Sequence, residues 1–165
     1  MLRELFRFES AASIAEWSAI DDGVMGGVSR SRMRYDPAGH AVFEGVVSLE
    51  NNGGFASVRS RAMDLGVPVA ADYVLELRGD GKRYKLNLRT DDAFDGLHYQ
   101  AEFEAPAGTW TLIRLPVSGF RPGFRGRSVP GAPPMDPAGV RQMGLMIADR
   151  QAGSFALAVR SIRVE

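Results

Sequence analysis

Alternation with a period of two governs this chain. In one short run after another, apolar and polar residues take turns, and most runs end at glycine, proline, asparagine or aspartate. Residues 73–78 put Tyr73, Leu75 and Leu77 on one face and leave Glu76 and Arg78 on the other. Residues 84–90 repeat the pattern, with Tyr84, Leu86 and Leu88 opposite Lys85, Asn87 and Arg89. Successive side chains of an extended chain point to opposite sides, so such runs are strands with one face buried. The same reading gives strands at 2–8, 30–35, 41–49, 97–104, 110–115, 142–149 and 154–164. The turn Gly79-Asp80-Gly81-Lys82 predicts a hairpin between 73–78 and 84–90. Helix is confined to a short segment at 10–17, with Ser13 as cap and Glu16 three residues on, and to a turn at 136–141. Many short strands at turn-marked intervals imply an all-β, antiparallel sandwich or barrel.

The run 49–59 stands apart from the rest. Asn51-Asn52-Gly53-Gly54 supplies four residues that tolerate positive φ, and so marks a turn. In the strand that follows, Phe55, Ser57 and Arg59 share one face, while Ala56 and Val58 share the other. A serine and an arginine beside a phenylalanine line a core poorly. They suit a groove that holds something polar. With Arg78, Lys85, Asn87 and Arg89 they predict one donor-rich patch, provided their strands are neighbours, with His98 or Tyr99 at its edge. Arginine forks match carboxylates, phosphates and vicinal hydroxyls. An ordinary solvated sheet face alternates in the same way.

Composition excludes several classes of function. At 165 residues the chain suits a single domain, 1–165, with one core. Lysine plus arginine equals aspartate plus glutamate, 20 against 20, which gives no electrostatic case for nucleic acid or an anionic membrane. There is no cysteine, hence neither disulfide nor thiol chemistry, and the two histidines, His40 and His98, are too few for most zinc sites. No apolar run approaches the roughly 20 residues needed to span a bilayer, and the N-terminus lacks a signal-peptide pattern. The expectation is a cytoplasmic protein without metal, cofactor or membrane insertion.

The glycine-rich segment 21–29 carries Asp21 and Asp22, but no Gly-Lys-Ser/Thr follows, so it is not a P-loop. The spaced oxygen ligands of a calcium loop are also missing. It reads as a tight crossover whose glycines serve backbone geometry, with Asp22 kept as a candidate contact. Residues 119–137, rich in proline and glycine, read as a surface loop, its Arg121, Arg125 and Arg127 either a protein contact or merely solvated. Trp17, Trp110, Phe43, Phe55, Phe103 and Phe155 offer a sugar-stacking platform as one reading, but such residues are more often core, and most of them read so. No nucleophile elbow, cysteine nucleophile or His-Glu-x-x-His pair is present, and a carboxylate pair drawn from Glu50, Glu102 and Asp149 has no legible spacing. The chain reads as a non-enzyme.

Several islands align together: Trp17 with 21–29, the run 49–59, Arg78-Gly79-Asp80-Gly81-Lys82 with Tyr84, Tyr99-Gln100, and Trp110. Leu115-Pro116, Phe120, Phe124-Arg125-Gly126-Arg127, and 144–151 with Gly153 and Phe155 complete the set. This order and spacing resembles the complex I intermediate-associated protein 30 family over nearly the whole chain. The resemblance implies a galactose-binding-like jelly-roll β-sandwich and a non-enzymatic, chaperone-like role in assembling a respiratory complex. In the absence of a transit-peptide pattern, it points to a bacterial single-domain member. The expected partner is a protein, such as respiratory-complex subunits, and the alternative is a carbohydrate or small polar ligand. The expected contacts are Asp22, Asn51, Asn52, Ser57, Arg59, Arg78, Asn87 and Arg89.

Overall fold

The alternating runs pair into two antiparallel sheets whose apolar faces meet. The computed structural model describes residues 2–92 and 96–165, the side chains of Val24 and Met25 excepted. Its strands are β1 (Arg3–Arg7), β2 (Trp17–Ala19), β3 (Arg30–Asp36), β4 (His40–Val47), β5 (Ala56–Ser60), β6 (Asp72–Arg78) and β7 (Arg83–Arg89). They continue with β8 (His98–Glu104), β9 (Thr111–Pro116), β10 (Arg121–Phe124), β11 (Arg127–Ser128), β12 (Gln142–Ile147) and β13 (Gly153–Val164). The first sheet runs β3-β4-β13-β6-β9, with β1 also pairing β13. The second runs β11-β10-β8-β7-β12-β5-β2. The result is a jelly-roll β-sandwich.

One contiguous core lies between the sheets. Tyr73, Leu75 and Leu77 of β6 and Leu157, Val159 and Ile162 of β13 are fully buried from one side. Val58, Tyr84, Leu86, Leu88, Leu145 and Ile147 are fully buried from the other. Phe43 of the first sheet meets Tyr84 of the second edge-on, with ring centroids 6.3 Å apart, and packs on Phe155 at 4.9 Å. Burying a side chain of this size contributes about 1.5–3 kcal/mol, so this layer holds the sheets together.

Three expectations are corrected. The run 73–78 and the run 84–90 do not form a hairpin: β6 pairs with β13 and β9, while β7 pairs with β8 and β12. Residues 79–82 form an arch from one sheet to the other. Asp80 holds that arch, its carboxylate accepting from the Tyr84 hydroxyl at 2.9 Å and from the N–H groups of Ala156 at 2.9 Å and Lys82 at 3.1 Å. Segment 10–17 is no α-helix but one 3-10 turn, Ala11–Ile14, followed directly by β2. Trp17 is drawn into the core instead, edge-on to Phe6 and Phe8 at 5.0 and 5.8 Å. Finally, the proline-rich segment 119–137 contains a β-hairpin: β10 and β11 turn tightly through Arg125 and Gly126, both at positive φ, as two-residue hairpin turns demand. This hairpin extends the second sheet by pairing with β8. At 136–141 the expected turn is present as Pro137–Gly139, with Asp136 accepting from the Ala138 N–H at 2.9 Å. No helix among the described residues is long and apolar enough to cross a membrane.

Candidate ligand groove

The outward face of the second sheet is concave, and its register places polar side chains in rows. Arg59 of β5 lies opposite Gly144 of β12, Gly144 opposite Asn87 of β7, Asn87 opposite Gln100 of β8, and Gln100 opposite Arg121 of β10. That row crosses five strands, about 19 Å at the usual strand spacing, with an arginine at each end. Gly144 keeps its middle low. A Cβ there would stand 2.9 Å from the Val58 carbonyl oxygen, so the position has no room for a side chain. In an adjoining row Met146 lies between Ser57 and Lys85, and in another Gln142 pairs with Arg89. The edge hairpin adds Arg125 and Arg127 as a wall. Together these residues enclose a groove of about 750 Å³, within the usual size range of ligand sites.

The floor is a neutral hydrogen-bonding network. The Gln100 amide donates to Asn87 Oδ1 at 2.8 Å, and both amides sit 3.8 Å from Met146 Sδ. Buried Gln142 Oε1 accepts no hydrogen bond from the described residues. Arg89 donates to the Gly96 carbonyl at 2.9 Å, which orients its guanidinium. Lys85 pairs with Asp149 at 3.3 Å. Ser57 has a local duty: its hydroxyl donates to the Ile20 carbonyl and its N–H to Asp21 Oδ1 at 3.0 Å, tying β5 to the crossover.

His98 reports the electrostatics of this face. Burial pushes its imidazole down first, and the nearby cations Arg89, Arg59 and Lys85 push it further, to about 4. The neutral ring is therefore the native form at neutral pH. Between about pH 6.5 and 4 the unfolded chain takes up a proton that the folded chain refuses, so this residue erodes stability as pH falls across that window. We expect an NMR titration of the His98 ring to give a midpoint near 4, and Arg89→Gln to raise it. A midpoint near 6.5 in the native protein contradicts this account.

The structure gathers Ser57, Arg59, Asn87 and Arg89 on one face but separates four other sequence candidates from them. Arg78 is corrected outright: it projects from the outer face of the first sheet, where its guanidinium lies 5.0 Å from the Trp110 ring and Arg160 lies 3.8 Å from the same ring. The arch at 79–82 causes this separation. Asp22 does not line the groove. It is fully buried and accepts from the Ser29 N–H at 2.9 Å, the Ser29 hydroxyl at 2.5 Å and the Gly54 N–H at 2.8 Å. Those bonds make it a fastener between the crossover and the turn at 51–54. Burial opposes ionisation, yet the donors of Ser29, Gly54 and Phe55 outweigh it and hold the carboxyl below the usual carboxylate range. Asn51 and Asn52 are exposed at positive φ in that turn, as their residue types suggest, and also lie outside the groove. Tyr99 points inward, its hydroxyl donating to the Pro133 carbonyl at 2.8 Å, so only His98 of that pair reaches the groove.

Sequence reasoning missed Gln100, Gln142, Gly144 and Met146 as groove residues. Their signal was there: the alternation of 142–147 puts Gln142, Gly144 and Met146 on the face opposite Met143, Leu145 and Ile147. No group of three His, Cys, Asp or Glu side chains among the described residues is placed to hold a metal ion.

Comparisons with known proteins agree with this architecture. A carbohydrate-binding module of family 11 from Clostridium thermocellum, solved with a β-1,3-1,4-mixed-linked tetrasaccharide, superposes with a TM-score of 0.73 at 15% identity, covering 99% of this chain and 94% of its own. An uncharacterized protein of Schizosaccharomyces pombe is 28% identical over 168 residues, 90% of this chain and 77% of its own length. The mitochondrial complex I intermediate-associated protein 30 of Drosophila melanogaster is 23% identical over 185 residues, 98% of this chain but 62% of its own length, so this chain spans only part of that relative. The sequence pattern of the complex I intermediate-associated protein 30 family matches residues 6–159, and the chain belongs to that family.

Proposed function

We propose that this protein is a non-enzymatic binding protein that helps assemble a respiratory complex by holding a segment of a protein partner in the groove of the second sheet. The observation that carries the reading is the groove itself: a trough across five strands, with an amide floor and arginines at both ends. Its shape suits an extended chain rather than a compact metabolite. Family membership supports a protein-complex partner, as does the name of the Drosophila relative. The chemistry favours holding over reacting. A glycosidase needs two facing carboxylates about 5–9.5 Å apart, whereas Asp149 is the single carboxylate among the described groove residues and is paired with Lys85.

A second reading, a carbohydrate or other small polar ligand, draws on the Asn87–Gln100 amide pair, which suits hydroxyls. The carbohydrate-binding module with the same fold supports it by analogy. The test is a pull-down from native lysate with wild type beside Arg59→Ala/Arg121→Ala, each checked for unchanged thermal unfolding. Recovery of respiratory-complex subunits by wild type, reduced about tenfold or more in the variant, is the expected result. A bound oligosaccharide with no protein partner moves the second reading to first place.

A further inference from the structure

We propose that the groove selects an acidic protein segment, recognising carboxylates on both of its side-chain faces through its ring of cations. The inference rests on the reading of the groove as a partner site and names the chemistry of its occupant. Its basis is the contrast between the chain and this one face. The whole chain balances 20 basic against 20 acidic residues. The described residues lining the groove are six cations (Arg59, Lys85, Arg89, Arg121, Arg125 and Arg127) against Asp149 alone. Such a concentration inside a concavity focuses a positive potential on this face.

The placement of these charges is as informative as their number. Arg59 and Arg121 end one row of the register, Arg89 stands in an adjoining row, and Arg125 and Arg127 overhang from the edge hairpin. The floor between them is uncharged: Gly144, Asn87, Gln100 and Met146. A cationic rim around a neutral floor suits a ligand whose backbone lies along the trough and whose charged groups reach outward. An extended peptide covers about 19 Å with about six residues, and successive side chains point to opposite sides, so carboxylates on neighbouring residues project to the rim on both sides. Arginine forks hold carboxylates bidentately. The thioether of Met146 adapts to varied side chains.

A neutral sugar fits less well. Saccharide rings pack their C–H faces on aromatic side chains, and Phe55 and His98 are the only aromatic rings among the groove's described residues.

The experiment uses fluorescein-labelled peptides of about eight residues, one repeating Glu-Glu-Ser and one repeating Gln-Gln-Ser, so that both side-chain faces carry the tested group, followed by fluorescence anisotropy. Wild type is expected to bind the Glu peptide at least about tenfold more tightly than the Gln peptide, with the advantage shrinking as salt screens the rim. Arg121→Glu/Arg127→Glu, on the exposed edge hairpin, is expected to abolish the preference, and Arg59→Gln to reduce it. Arg30→Glu, exposed on the first sheet, is expected to leave it intact. Saturation with the Glu peptide is expected to raise the His98 titration midpoint, because bound carboxylates oppose the arginines.

Equal binding of both peptides, lost together in the groove variants, overturns the selection for acid while leaving the partner groove standing. Binding of neither peptide but of a mixed-linked glucan tetrasaccharide overturns both this proposal and the protein-partner reading. Binding of a galacturonate oligosaccharide in preference to the Glu peptide overturns the assignment of the occupant to protein.

Discussion

Asp22→Ala is expected to lower the stability of the protein by about 4 kcal/mol, a loss large enough to shift thermal unfolding by about 10 °C for a chain of this length. The reason is local and countable. The Asp22 carboxylate is fully buried and receives the Ser29 N–H, the Ser29 hydroxyl and the Gly54 N–H, with the Phe55 N–H at 3.4 Å. Alanine removes the acceptor and leaves the buried Ser29 N–H and the half-buried Gly54 and Phe55 N–H groups without it, while the Ser29 hydroxyl keeps the Ser48 carbonyl at 3.2 Å; each buried unsatisfied group costs about 1–3 kcal/mol. The surroundings cannot close over the gap. Gly27 and Gly53 lie so near that a Cβ on either would fall 2.4 or 2.5 Å from an atom of the carboxylate, which is why this crossover is glycine-rich. Asp22→Asn keeps the shape and one acceptor but aims an N–H₂ group at donors, so about half the loss is expected.

The same residue sets an acid limit. Its carboxyl titrates below the ordinary value because donors favour the charged form against the burial that opposes it. A depressed carboxylate contributes stability that is complete above about pH 4 and is lost as pH falls through the lower folded value. Unfolding midpoints of wild type should therefore decline in that acid range, and those of Asp22→Ala should decline less. A parallel decline in both proteins rules out Asp22 as a source of acid sensitivity.

Gly79→Ala is expected to cost about 3 kcal/mol, the upper end of ordinary overpacking. A Cβ at 79 would stand 2.2 Å from the Ala105 side chain and 2.4 Å from its carbonyl oxygen, and neither is a flexible group that can swing aside. The neighbouring Gly81→Ala is a useful contrast. Its φ is +84°, but the nearest atom to an added Cβ is 3.9 Å away, so the cost is the conformational strain alone, about 1 kcal/mol. Urea denaturation of the two variants separates a steric requirement from a backbone requirement. Equal losses contradict the close approach at 79. This arch deserves the test because it sends β6 and β7 to different sheets, and thereby decides which cations share the groove.

Part of the candidate groove is legible in residue order alone. The alternation of 55–59 correctly assigns Ala56 and Val58 to the core and Arg59 to the outer face, and the alternation of 84–90 does the same for Leu86 and Leu88 against Asn87 and Arg89. The turn at 51–54 announces positive φ through its asparagines and glycines, and Asn51, Asn52 and Gly54 adopt it. The role of Asp22 was not legible, because a carboxylate beside glycines looks the same whether it faces a ligand or fastens two loops. The donors that settle it come from residues 29, 54 and 55. The arginines of 119–137 read as a loop because proline and glycine dominate the segment, although two residues at positive φ are enough to turn it into an edge hairpin.

The sequence by itself determined which face of each strand is buried, since that depends on a period of two that local residue order carries. It also carried the family and the absence of a long helix. Only the tertiary structure decided which sheet each strand joins. A hairpin and an arch present the same alternation, because both turn their apolar faces toward one core. Arg78 and Arg89 therefore look equivalent in sequence and lie on opposite outer faces of the sandwich. The partner that completes the groove, β12, is drawn from 142–147 and inserts between β5 and β7. Such a pairing is chosen by long-range packing between residues far apart in the chain, which no local pattern records.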